Sequence, residues 1–81
     1  MNNSVSTLQK NDCGRWEVGI HELTSGSLVE IRIDGQWICG VIEYWQDAYY
    51  WFSRYDGIPV ILHSGIYARL PNFSERRNSR A

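Results

Sequence analysis

The sequence is short of the features by which many functions announce themselves. Its 81 residues contain two prolines and two cysteines, and no run approaches the ~20 consecutive apolar residues of a membrane-spanning helix. The opening MNNSVSTLQKND has no apolar core of the signal-peptide kind. A cytoplasmic protein with reduced thiols is therefore expected, with a Cys13–Cys39 bridge as the lesser alternative. A basic excess is also missing: eight Lys and Arg stand against nine Asp and Glu, for a formal net charge of −1. Proteins that neutralise many phosphates usually carry such an excess, so general nucleic-acid binding is disfavoured, although a local basic patch remains compatible with the balance.

The motifs of catalysis are absent as well. Cys13, Cys39, His21 and His63 form no C-x₂₋₄-C or H-x₃₋₅-H pair, so a structural zinc has no support. No Gly-x-x-x-x-Gly-Lys loop offers a phosphate cradle, no serine lies in a nucleophile elbow, and no carboxylate pair stands out. The reading is of a non-enzymatic chain with neither cofactor nor metal. Helical periodicity is missing too, since no segment sustains an apolar stripe over three turns.

What is present is β-structure. Hydrophobic residues make up 43% and charged residues 21%, enough apolar material for one folded domain. In RWEVGIHEL, Trp16, Val18 and Ile20 alternate with polar or small residues, as in a half-buried strand. Thr24-Ser25-Gly26 turns the chain, and SLVEIRI alternates again through Val29, Ile31 and Ile33. Asp34-Gly35 then gives the strongest short hairpin signal, since both turn residues must tolerate positive φ. QWICGVIEYW is apolar on both faces, with Gly40 marking a bend or a close backbone approach. AYYWFSRY, the Asp56-Gly57 turn, IPVILH and IYARLP complete the series, with a 3₁₀ turn expected near His63–Tyr67. Turns every eight to twelve residues suit a barrel or sandwich. The expected fold is all-β: a small five- to six-stranded SH3-like barrel over residues 14–71, with a disordered tail over 1–13 and a flexible Arg-containing tail over 72–81.

Two resemblances support this. SLVEIRIDGQWICGVIEYWQDAYYWFSRYDG resembles the pattern of SH3-like barrels of the Tudor and related types. The longer run from Arg15 to Leu70 resembles a family of short bacterial proteins of unknown function found on chromosomes and mobile elements. The matching features are the ELTSG-like turn, the Asp34-Gly35 hairpin followed by Trp37, and the Gly40-Val41-Ile42-Glu43 segment. The resemblance implies a fold, and an accessory or inhibitor protein of a phage or mobile element, without implying catalytic residues. A plasmid-type dihydrofolate reductase, a tetramer of such barrels, is a remote alternative. Trp37 and Tyr44 fall loosely where it has a Trp and a Tyr, but IPVILH stands where its V-Q-I-Y segment belongs.

The aromatics carry the functional expectation. Four Trp, five Tyr and two Phe exceed what one thin core holds, so one strand face is expected near the surface. Alternation groups Tyr49, Trp51 and Tyr55 on one face and Tyr50 and Phe52 on the other. The expected partner surface is Trp37, Tyr49, Trp51 and Tyr55, with Asp34 and Asp56 as an acidic rim, binding another protein. The bland reading is that these rings merely cap a small barrel. Two alternatives are self-association into a homodimer and nucleic-acid binding through Arg54, Arg76, Arg77 and Arg80 with stacking rings. No membrane contact is expected.

Overall fold

The computed structural model describes residues 5–71, and among them the chain is all-β with no helix. Eight strands follow in order: β1 (Ser6–Lys10), β2 (Trp16–Val18), β3 (His21–Glu22), β4 (Leu28–Ile33), β5 (Gln36–Trp45), β6 (Ala48–Ser53), β7 (Pro59–Ile61) and β8 (Tyr67–Arg69). They form one antiparallel sheet in the order β3-β2-β1-β8-β4-β5-β6-β7, curled into a half-barrel. The expected five to six strands are eight, and the sheet ends in two edges, β3 and β7.

The largest departure is at the N-terminus. Residues 6–10, expected in a tail, are a strand that pairs with both β2 and β8. Leu8 is fully buried, its amide donating to Ile66 O at 2.8 Å while its carbonyl accepts from Gly65 N at 3.1 Å. The β1–β2 connection is organised by Asn11. Its Oδ1 accepts from the amides of Cys13 (2.9 Å) and Arg15 (3.0 Å), and its Nδ2 donates to Glu17 and Glu22. The expected single strand RWEVGIHEL is a tight hairpin instead. Gly19 takes a φ of +61°, and a glycine first in a two-residue loop is the requirement of a type II′ turn. Ile20 is then left at the tip, 90% exposed, while Trp16 and Val18 are buried as expected.

The meander matches the sequence pattern more closely. Asp34 and Gly35 both have positive φ and join β4 to β5 with Ile33 opposite Gln36, as a type I′ turn requires. β5 covers the QWICGVIEYW run. β6 ends at Ser53, so Arg54 and Tyr55 lie in a turn and not in the strand. Ser64 and Gly65 form a turn in place of the expected 3₁₀ segment. Cys13 and Cys39 are unbridged.

The core lies on the concave side. Leu8, Trp16, Val18, Leu23, Val29, Ile31, Ile42, Trp51, Leu62 and Ala68 are buried together, and Tyr49, Val60, Ile66 and Leu70 pack against them. Trp51 is its keystone. Its indole lies over Gly40, where an added Cβ would sit 2.2 Å from the Trp51 ring, and its Nε1 donates to Val29 O at 2.9 Å. Val29 is the register partner of Gly40, so the missing side chain lets the indole cross β5 and reach a carbonyl of β4. The ring thereby buries its apolar body and satisfies its one polar atom.

Candidate functional site

Strand alternation decides which aromatics face solvent. Trp51 is 1% exposed and hydrogen-bonded inside the core, so its expected role as a contact residue is overturned. Tyr49 shares the concave side, half-buried and packed against the core, with its ring edge-on to Tyr44 at 4.9 Å. Tyr55 is 81% exposed but stands in the turn after β6, apart from the strand face. Asp34 lies in the β4–β5 turn. Asp56 lies beyond β6 and caps its own turn, accepting from Ile58 N at 3.2 Å. The expected set is therefore not one surface. Only Trp37 lies on the face described next, and Arg76, Arg77 and Arg80 lie outside the described residues.

The opposite, convex face carries the surface. Register places Leu28, Val41, Phe52 and Pro59 in one row across β4, β5, β6 and β7. The next row is Glu43, Tyr50 and Ile61, and Trp45 lies one step beyond. Trp45 packs edge-on to Tyr50 and Phe52, with centroids 5.3 Å and 6.3 Å away, and Tyr50 and Phe52 are tilted to each other at 6.0 Å. Trp45 is 47% exposed, and Tyr50, Phe52 and Val41 are half-buried, with no further strand or loop over them among the described residues. The core is already filled from the other side, so this apolar strip is surplus to folding. A contiguous apolar patch rimmed by polar groups marks an interaction surface. The sequence grouped Tyr50 with Phe52, but the face could be chosen only once Trp51 had been shown to fill the interior.

One end of the same face is basic. Across the β5–β4–β8 outer rows, Trp37 lies beside Arg32, and Glu30 pairs with Arg69. The Arg69 guanidinium lies 4.3 Å from the Trp37 ring centroid and that of Arg32 5.3 Å, both within cation–π range. Arg69 Nε also donates to Glu30 Oε1 at 2.5 Å, with both side chains about a quarter exposed. Arg54 follows β6 directly, its amide held by Cys39 O at 3.1 Å. Among the described residues neither Arg32 nor Arg54 has a carboxylate within 4 Å.

A second concavity of about 320 Å³ lies between the β1–β2 arm and the β5–β6 hairpin, lined by Lys10, Trp16, Tyr44, Asp47, Tyr49 and Leu62. Its rings already have occupants. Trp16 and Leu62 belong to the core, and the Lys10 ammonium lies 5.4 Å above Trp16. Gln46 and Asp47, which carry this hairpin, both hold positive φ without being glycine. Among the described residues no three His, Cys, Asp or Glu side chains gather closely enough to hold a metal ion. No helix there is long and apolar enough to cross a membrane.

The family model described as a domain of unknown function, DUF5348, matches residues 6–70, and the chain belongs to that family. The match begins at the first residue of β1 and ends one residue after β8, so the family unit includes the N-terminal strand. No curated protein and no solved structure matches the chain.

Proposed function

We propose that this chain is a non-enzymatic protein-binding module, an open relative of the SH3-like barrel, and that its contact surface is the convex face of β4–β7. The observation that carries this reading is the Trp45–Tyr50–Phe52 cluster, continuous with Val41, Leu28 and Ile61, on a sheet whose opposite side already holds a complete core. Half-exposed aromatics backed by rigid strands make good anchors, because little side-chain entropy is lost when a partner covers them.

A protein partner is favoured over single-stranded nucleic acid by ring orientation and by charge. Bases stack on flat exposed faces, whereas Trp45 stands at 65° to Tyr50 and 67° to Phe52, and Tyr50 is tilted 42° from Phe52. Glu43 sits within the patch, between Val41 and Trp45 on the same face, where it would repel a phosphate chain.

The test is affinity capture from cells that carry the gene, run in parallel with wild type, Trp45→Ser and Tyr55→Ser, each with and without nuclease. A nuclease-resistant protein retained by wild type and Tyr55→Ser but lost by Trp45→Ser supports the reading. Equal retention by all three, or recovery abolished by nuclease, overturns it.

A further inference from the structure

The convex face is electrically two-ended, and this specifies what it can bind. At the Trp37 end, Arg32 and Arg69 hold their guanidinium groups against one indole, and Arg54 is held beside Cys39. Glu30 is engaged by Arg69, and among the described residues Arg32 and Arg54 have no carboxylate partner within 4 Å. At the other end, Glu43 lies within the aromatic patch. The sequence alone suggested an acidic rim of Asp34 and Asp56 beside the aromatics. The structure puts Arg32 and Arg69 on the face itself, with Asp34 in the turn beyond them, and leaves Asp56 bound to its own turn.

From this polarity we infer that the occupant of the convex face is an acidic peptide segment: an aromatic or aliphatic anchor lies over Phe52, Tyr50 and Trp45, and one or more carboxylates flank it at the Arg32–Trp37–Arg69 end. The inference rests on the protein-binding reading above and names the partner's chemistry. The Arg32 guanidinium lies 5.3 Å from the Trp37 ring centroid with no carboxylate within 4 Å among the described residues, so its N–H donors are available to a partner's carboxylate. Glu43 sets the direction, because a segment laid the other way would bring its carboxylates against a like charge.

The experiment is selection of a random peptide display library on the full-length chain, followed by binding measurements with one synthetic consensus peptide. The expected consensus has Asp or Glu on one side of an aromatic or aliphatic anchor. Its affinity is expected to fall about threefold to fivefold in Arg32→Gln at low salt, the size of one partly exposed charge pair, and to hold or improve in Glu43→Gln. The Arg32 effect should shrink at about 1 M salt, where the screening length is about 3 Å. Trp45→Ser, at a half-exposed position, should abolish binding, with the thermal melt showing the variant still folded at the assay temperature.

Neutral or basic selected peptides that still require Trp45 would overturn the acidic occupant and leave the surface reading standing. Peptides indifferent to Trp45→Ser, or no enrichment over an unfolded control, would overturn the surface and the inference together. A mixed-sequence ten-nucleotide single strand that binds more tightly than the consensus peptide and loses affinity in Arg32→Gln would replace the carboxylate with phosphate and overturn both.

Discussion

Replacing Gly40 with alanine should destabilise the domain by about 3 kcal/mol, although alanine is ordinarily the better residue in a strand. Relative to glycine, an alanine in a strand interior gains about 0.5–1 kcal/mol from lower backbone entropy in the unfolded chain. At Gly40 that gain is outweighed. The new Cβ would lie 2.2 Å from Trp51 Cε2, 2.4 Å from Trp51 Nε1 and 2.6 Å from Phe52 O. Carbon contacts are comfortable near 3.5–4.0 Å, so the indole must retreat by about 1.5 Å or the strands must part. Overpacking of this kind costs about 1–3 kcal/mol. A retreating indole also lets go of Val29 O, and an unsatisfied buried N–H adds about 1–3 kcal/mol. A domain of this size has roughly 3–10 kcal/mol in all, and each kcal/mol moves its Tm by about 4–8 °C. A fall of more than about 10 °C is therefore expected in thermal denaturation followed by circular dichroism. Trp51→Phe shortens the ring and gives up the bond to Val29, so adding Gly40→Ala to that variant should cost at least 1 kcal/mol less than adding it to wild type. Wild-type stability in Gly40→Ala, or an equal cost in both backgrounds, would refute the account of Gly40 as the seat of the indole.

The other predictions use the same melts. Changing Gln46-Asp47 to Asn-Gly should raise stability by about 1 kcal/mol, since both positions hold a left-handed conformation that costs side-chain-bearing residues about that much. Leu8→Ala should cost about 2–5 kcal/mol, as expected of a fully buried leucine and not of a tail residue. Tyr55→Ser should change stability by less than about 1 kcal/mol, because its side chain is largely in water, whereas Trp45→Ser, which gives up the ring packing on Tyr50 and Phe52, should cost about 1–2 kcal/mol. Acrylamide should quench Trp45 fluorescence and spare Trp51, which single-tryptophan variants would resolve.

Legibility in the sequence tracked how many apolar residues each strand placed inward. β4 and β5 could be read because Val29 and Ile31 alternate and Asp34-Gly35 fixes their hairpin. β1 could not, because Leu8 is its only buried residue and a single leucine has no period. Its position is set by backbone pairing with β2 and β8, which leaves no side-chain signature. The β2–β3 hairpin was hidden by Ile20, which extends the alternation of Trp16 and Val18 across the turn yet ends in solvent. The surplus of aromatic rings was visible, but their sorting was not. Gly40 was legible as a close approach, and knowing what approached it would have required the β5–β6 register that brings Trp51 over it. With Trp51 inside, the rings of the convex face become Trp45, Tyr50 and Phe52.

The strand order also bears on how the molecule assembles. The β4–β5, β5–β6 and β6–β7 pairings each join neighbours in the chain, so the meander can form from short loops, whereas Thr7 must find Tyr67 and Glu30 must find Arg69. Loop closure of that length comes late and slowly. The β1–β2–β3 arm is strand-paired to the sheet through β1 and β8 alone, so it can open as one cooperative unit while the meander stays paired, at the cost of uncovering Leu8, Trp16 and Val18 from the shared core. In native-state hydrogen exchange the arm's amides should share one opening energy, below that of β5 and β6. A protease should find its first cut there, on a domain whose convex face is still intact.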